Sequence, residues 1–327
     1  MTIRIAQLGT WHVHAKHHVE SARENPATEP VVVWDGRPGA ARTFGDALNL
    51  PVDEDLARVL GRQDIDAVVV DTATMEHPEV IAAALSAGKH VFTEKVLATT
   101  GEHARRLVEL ARTHSRVLGV SLPRLLDPAV RAASALVAAG AIGEVTSSRF
   151  RYAHHGAVGV PWIPEHFFDP RQTGGGALID LGAHPVYLAM LFHGATPSHV
   201  SATLQYVTGR EVEDNGMLVM EFDGALSVAE ISMVGSALGY SFELSGTAGS
   251  ITVGPHDERL MMRRGPRGPW EQQEVGDGGD AFNLWVDRLL MGSSDADHLA
   301  TAVATTEVLE AGYRSAASAT RVAVPSR

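Results

Sequence analysis

The sequence predicts an α/β N-terminal domain with a Rossmann-type, doubly wound parallel sheet, followed by an α+β domain on a mostly antiparallel open sheet. Three observations carry this. Strand and helix patterns alternate through the first part of the chain at the spacing of parallel crossovers. From 198 to about 263 the pattern is strands only, separated by hairpin-length gaps such as Asp223-Gly224 and Thr247-Ala-Gly249. The 327 residues also exceed what one core ordinarily holds. The expected domains are 1–122 for dinucleotide binding and 123–327 for substrate binding and oligomerisation.

Residues 3–8 read as a strand that turns at Gly9, with a helix following to about 24. Pro30 introduces the buried-type strand 31–34, closed by Asp35-Gly36, and an alanine-rich helix runs to about Gly45. Strand 65–70, helix 77–87, strand 90–93, helix 101–113 and strand 116–120 complete the parallel unit. After Pro123 the rhythm changes. A helix at 126–139 ends at Gly140, a C-cap position. Strand 144–153, a loop rich in His, Gly and Pro, and a helix carrying Asp180 and His184 come next. The strand run is 198–207, 216–223, 225–232, 240–245, 249–253 and 258–263, and Arg264-Gly-Pro-Arg-Gly-Pro269 is a turn. Helices at 280–291 and 296–317 finish the chain.

Composition narrows the function. A hydrophobic share of 45% with 20% charged residues is ordinary for a soluble enzyme. A formal charge of −12 argues against nucleic acid or an anionic membrane as partner, because both call for basic patches. The absence of cysteine excludes disulfides and thiolate-ligated metals. The first residues run directly into a strand and no apolar run reaches membrane-spanning length, so a cytoplasmic protein is expected.

Two strings carry chemistry. Gly88-Lys-His-Val-Phe-Thr-Glu-Lys95 ends a strand on an ionisable pair, and Gly174-Gly-Gly-Ala-Leu-Ile-Asp-Leu-Gly-Ala-His184 sets Asp180 and His184 four residues apart, on one face of a helix. A lysine at a strand end with an acid and an imidazole suits proton transfer to and from a carbonyl or alcohol. Taken alone, either string has an ordinary reading, as a surface ion pair or a helix-stabilising pair. The three glycines are expected to let the helix start approach substrate and cofactor. Asp35, at the end of the second strand, suits the adenosine ribose hydroxyls and so NAD, whereas Arg37 suits a 2′-phosphate and so NADP. The run His12-Val-His14 with His17 and His18 invites a metal reading, but His-x-His after a first strand belongs to barrel enzymes and the antiparallel run does not fit a barrel. No metal is expected; His14, His17 and His18 read as one polar, partly exposed face, with His12 or His14 facing substrate. Asp127 reads as a helix cap.

With both halves in view, the chain resembles the Gfo/Idh/MocA family, the glucose–fructose oxidoreductase and inositol dehydrogenase group. The resemblance rests on Thr74-Met-Glu-His77, on the run from Gly88 to Lys95 against that family's Glu-Lys-Pro motif, on Gly140-Ala-Ile-Gly143-Glu, and on the Asp180-x-x-x-His184 helix. It departs at two places. Val96 stands where the family has proline, and the glycine-rich loop is reduced to Gly9-Thr-Trp-His-Val-His14, so either Trp11 points away from the phosphates or the cofactor sits differently. The resemblance implies nicotinamide-dependent hydride transfer at a secondary alcohol or carbonyl of a sugar, cyclitol or related polyol. It implies cofactor contacts from Gly9, Thr10, Trp11, His12, Asp35, Arg37, Thr72, His77, Glu94 and Lys95. Substrate contacts are expected from Lys95, Arg124, His155, Trp162, His166, Asp180 and His184. In the catalytic set, His184 takes the hydroxyl proton, Asp180 orients substrate or imidazole, and Lys95 bonds the reacting oxygen.

Two other functions fit the same residues: glycoside cleavage through transient oxidation by tightly bound NAD, and a non-catalytic sugar-sensing or partner-binding relative. Alternating apolar residues Met217, Val219, Leu226 and Val228 predict an open sheet face buried in a homodimer or homotetramer.

Overall fold

The computed structural model describes residues 2–159, 162–235, 239–254 and 259–325. The chain forms two compact units, one of residues 1–121 with 280–303 and one of residues 122–279 with 304–327. In the first unit, β1 (Ile3–Leu8), α1 (Ala15–Glu24), β2 (Thr28–Trp34), α2 (Ala40–Leu48), α3 (Leu56–Gly61), β3 (Ala67–Val70), α4 (His77–Ser86), β4 (His90–Thr93), α5 (Gly101–Thr113) and β5 (Leu118–Val120) alternate as expected. The sheet order is β2-β1-β3-β4-β5, with every pairing parallel. Strand order reverses at β1, between β2 and β3, and a doubly wound sheet binds ligands beyond the carboxyl ends of its strands at such a point.

The second unit contains α6 (Pro128–Ala138), β6 (Val145–Ala153), α7 (Pro170–Thr173), α8 (Ala177–Asp180) and α9 (Ala183–His193). Strands β7 (His199–Gln205), β8 (Asn215–Phe222), β9 (Ala225–Ser232), β10 (Tyr240–Gly246), β11 (Gly249–Val253), β12 (Leu260–Arg264) and β13 (Glu271–Gln272) follow. The expected start of the β12 strand at 258 lies outside the described residues. Helices α10 (Ala281–Leu290) and α11 (Ala296–Ser318) and the short β14 (Val322–Ala323) end the chain. The sheet order is β13-β12-β11-β10-β6-β9-β8-β7-β14, antiparallel except where β6 runs parallel to β9. Asp127 caps α6 through Ala129 N and Val130 N, as its sequence position suggested. Among the described residues no single helix is long and apolar enough to cross a membrane.

The compact units do not follow a single boundary near 122. The apolar face of α10 explains why: Phe282, Trp285 and Val286 share one core with Ile3 and Ile5 of β1, Val69 of β3 and Phe92 of β4. Phe92 meets Phe282 edge-on at 5.7 Å. A Cβ at Gly119 of β5 would come within 2.5 Å of the Trp285 ring, so the glycine makes room for the indole. Apolar burial outweighs sequence order here, and the late helix completes the early sheet.

The segment from Gly174 to His184 is not one helix. Helix α8 ends at Asp180 and α9 starts at Ala183, and the α7–α8 stretch is bent by 42° from α9. Pro185 supplies the reason. It has no N–H for the Leu181 carbonyl, and its ring crowds that carbonyl, so it is tolerated only in the first turn of a new helix. His184 N–H donates to Leu181 O, three residues back, at 3.2 Å. The expectation that Asp180 and His184 share one continuous helical face is therefore corrected.

The glycines before α8 answer to packing. Glu213, buried in the loop before β8, accepts hydrogen bonds at one carboxylate oxygen from Gly176 N (3.0 Å), Leu178 N (2.9 Å) and Tyr313 OH (2.7 Å). Tyr313 OH in turn accepts from Ile179 N at 3.1 Å. A Cβ at Gly175 would land on the Tyr313 hydroxyl, and one at Gly176 on the Glu213 carbonyl. The pair is thus glycine because Glu213 and Tyr313 occupy the space, which supplies a reason other than the expected approach to ligands. Gly176→Ala should therefore lower stability by about 1–3 kcal/mol, read as a drop in thermal midpoint. Gly61→Ala, where a Cβ meets nothing within 4 Å, should be neutral or slightly stabilising.

Candidate active site

The loops leaving β1, β2, β3 and β4 carry the predicted cofactor residues. Gly9 has φ +85°, and a Cβ there would come within 2.5 Å of Thr72 N, so this one glycine of the loop is obligatory. Trp11 is buried, and the N–H groups of Trp11 and His12 both donate to Asp71 O (3.0 and 3.1 Å). Thr10 donates through N–H and hydroxyl to Asp35 Oδ2 (2.7 and 2.8 Å). Arg37 donates to the same carboxylate from its backbone N, Nε and Nη2. Burial pushes the Asp35 pKa up, but the bonds from Arg37 and Thr10 outweigh it and hold the group below the usual carboxylate range. Asp35 and Arg37, expected to choose between NAD and NADP, are thus engaged with each other.

Behind this loop lies a buried charged network. His18 Nδ1 is 3.0 Å from Asp71 Oδ2, and His18 Nε2 is 3.5 Å from Glu94 Oε1. Gln7 Nε2 donates to Asp71 Oδ2 and to Gly9 O, both at 2.8 Å. Glu94 also meets His14 Nδ1 at 3.0 Å and accepts from Lys95 N at 3.1 Å. Glu94 and Lys95 are only 1% and 6% exposed, which removes the surface-ion-pair reading. Of the histidine run, His14 precedes α1 and is exposed, whereas His18 is buried, so the expected polar face does not hold for His18. His12, His14 and Glu94 each bring a potential metal-ligating atom within 4.8 Å of the others. His77 is buried with Nδ1 against Val96 O at 2.8 Å, tying α4 to the turn behind Lys95, whose Lys95–Val96 peptide is cis.

In the second unit a separate cluster surrounds His184. The imidazole stacks on Tyr152, with ring centroids 4.6 Å apart, and its Nδ1 is 2.7 Å from Tyr187 OH. Arg124 lies over the rings of Tyr152 and Tyr240 at 5.2 and 4.9 Å, and donates to Tyr152 OH at 2.9 Å and Asp127 Oδ2 at 3.3 Å. Arg124, expected at the substrate, here braces the ring on which His184 rests. Asp180 is half-buried at the end of α8. Trp162 is exposed with its ring 4.9 Å from His154, His155 is exposed, and His166 is half-buried beside Phe167. The sequence reading missed Asp71, Tyr152, Tyr187, Glu213 and Tyr240. Of these, only Tyr187 carried a signal, lying three residues past His184.

His18 gives a pH test. Burial pushes its pKa down, but Asp71 and then Glu94 raise it to about 9, so the ring is a cation in the folded protein. A pKa raised above the ordinary 6.5 stabilises fully below that value, and the contribution is lost as pH rises through about 9. His18→Gln should be less stable than the parent by on the order of 3 kcal/mol near pH 6. The difference should shrink between pH 6.5 and 9, as read by denaturant unfolding across that range.

A Cβ-free Gly9 at the sheet's switch point and an acid closing β2 fit a dinucleotide. The comparisons agree. Residues 3–122 match the model of the oxidoreductase family with an NAD-binding Rossmann fold, and residues 130–252 match the GFO/IDH/MocA C-terminal domain. A dTDP-3,4-didehydro-2,6-dideoxy-alpha-D-glucose 3-reductase of Saccharopolyspora spinosa is 30% identical over 260 residues, covering 77% of this chain and 74% of that protein. A levoglucosan dehydrogenase solved with NADH and levoglucosan superposes with a TM-score of 0.88 at 22% identity, over the full length of both chains. GenD2 of gentamicin A biosynthesis, solved with NAD, gives 0.85 at 26% identity, over 99% of this chain and 97% of that one. The chain is a member of the GFO/IDH/MocA family of oxidoreductases, and its N-terminal domain is of the NAD-binding kind.

Proposed function

We propose that this enzyme transfers hydride between NAD and a secondary alcohol or carbonyl of a sugar, cyclitol or related polyol. The observation that carries the reading is the buried pair Glu94-Lys95 at the carboxyl end of β4, in a chain of this family. Gly9, Thr10, His12, Asp35, Arg37 and Thr72 would hold the dinucleotide, which supplies the hydride acceptor or donor when bound. Lys95, Asp180 and His184 would act on the substrate oxygen: Lys95 and His184 would bond it and Asp180 would orient the alcohol. The relatives are named for reduction of a dTDP-sugar and oxidation of levoglucosan, which supports a carbohydrate-like substrate.

Titration calorimetry with NAD+, NADH, NADP+ and NADPH tests the cofactor, and a panel of sugars and polyols followed at the nicotinamide absorbance tests the reaction. Lys95→Ala should lower kcat by 10²-fold or more while changing NAD affinity by only a few fold. Failure of all four dinucleotides to bind would overturn the reading and leave ligand binding without chemistry. NAD that co-purifies and supports no net turnover would favour glycoside cleavage by transient oxidation.

We also infer that the open sheet face is covered by a second copy of the chain. On β8 and β9, Met217 and Leu226 are 48% and 51% exposed, and Val219 and Val228 are half-buried beside them. The opposite face, with Leu218, Met220, Ala229 and Ile231, is buried in the unit's own core. Sedimentation should show a dimer or tetramer that Met217→Glu with Leu226→Glu converts to monomer. A monomeric parent would sink this.

A further inference from the structure

Tyr187 lies one helical turn beyond His184 in α9 and is 0% exposed. Among the described residues its hydroxyl meets two groups. One is the backbone N–H of Arg124, at 3.1 Å, which only donates, so the hydroxyl oxygen accepts there. The other is His184 Nδ1, at 2.7 Å. A phenol carries one proton, and a buried O–H takes an acceptor. Of the two neighbours, only an unprotonated Nδ1 accepts it. Burial also pushes the Tyr187 pKa well above its ordinary value, so the hydroxyl keeps its proton across the working range.

We propose that Tyr187 is a positioning residue that locks His184 in the tautomer with its proton on Nε2, so that His184 donates a hydrogen bond to the reacting oxygen and does not take its proton. The inference rests on the dehydrogenase reading for its chemistry and assigns the proton within it. To act as a base at Nε2, the ring would have to move its proton to Nδ1. To act as an acid, it would have to be doubly protonated. Either change puts two N–H groups against Tyr187 OH and leaves its O–H without an acceptor. A neutral imidazole held as a donor polarises a carbonyl, or steadies an alkoxide, without charging. The proton then belongs to Lys95. In the oxidation direction, bound NAD+ would take the hydride with the C–H electron pair, and the amine of Lys95, when unprotonated, would take the hydroxyl proton. Carbonyl, reduced cofactor and lysine ammonium would result. Arg124 serves the same end, fixing Tyr187 through its backbone and the Tyr152 ring beneath His184 through its guanidinium.

The lock can be read without substrate. In protein carrying 15N-labelled histidine, two-bond 1H–15N spectra assigned by difference from His184→Gln should show at neutral pH a protonated Nε2 and an unprotonated Nδ1 for His184. Tyr187→Phe should move both nitrogen signals toward a mixture of tautomers. A protonated Nδ1 in the parent protein, or unchanged signals in a folded Tyr187→Phe, would overturn the lock. If that variant does not fold, the parent spectrum alone decides. Kinetics test the role. Glutamine at 184 keeps an N–H donor near the place of Nε2 and takes no proton, so His184→Gln should retain at least tenfold more kcat than His184→Ala. Equal loss in both would return the proton to His184. Absence of turnover by the parent protein would instead strike the dehydrogenase reading, which the spectra do not involve.

Discussion

The pairing of His18 with Asp71 is the interaction on which the first unit's site depends. Asp71 sits at the end of β3 with no exposed surface, and its two kinds of oxygen do different work. The carboxylate takes His18 and Gln7, and the carbonyl takes the N–H groups of Trp11 and His12. An ionised carboxylate is expensive to bury unless it is paired. Here the cationic His18 stands 3.0 Å from Asp71 and 3.5 Å from Glu94, so one imidazolium serves two carboxylates. Removing it would leave both acids to repel one another beside Lys95, next to the strand end from which the loop after β1 hangs.

The second unit builds its cluster differently, from aromatic rings braced by Arg124. Pro185 divides the α8–α9 segment, and Glu213 with Tyr313 receives the N–H groups at the start of α8. Glu213 is nearly fully buried, and that burial raises its pKa even against three donors. Because one side of the break is fastened to Glu213 and the other starts a new helix, Asp180 and His184 are set by two separate supports. A continuous helix would fix the two side chains by its own pitch, whereas the break at Pro185 lets each be placed by its surroundings.

Periodicity made the fold legible. Alternating strand and helix patterns place β1 to β5, and apolar alternation on β8 and β9 identifies the open face with the right residues, because these signals depend on neighbours along the chain. A boundary near 122 leaves out α10, which looks like any amphipathic helix in sequence and whose place in the first compact unit goes with Gly119 leaving space for Trp285. The same limit applies at the site. Glu94 and Lys95 stand out as a motif at a strand end, but Asp71 closes an ordinary apolar strand, and Tyr152 and Tyr240 become neighbours only when β6 pairs with β10. One local signal was passed over. Pro185 directly after His184 already denied the single helix, since a proline there removes the N–H that would bind Leu181 O.

The loop with one glycine in place of three is the sharpest departure from the family pattern, and the structure resolves it position by position. Gly9 is kept where a side chain would overlap Thr72. The second position needs only that nothing project toward the phosphates, and the Trp11 side chain there is buried. The third glycine ordinarily lets helix and strand pack closely. Here His14 stands before α1, not inside it, and its ring turns to Glu94 at 3.0 Å. Helix α1 then packs through Ala15, Val19, Ser21 and Ala22, with the His18 ring edge-on to Phe92 of the sheet at 5.3 Å. What a dinucleotide fold requires at this loop is space and direction, and glycine is one way of meeting the requirement. An anchored loop whose bulky side chains are directed inward or sideways is another.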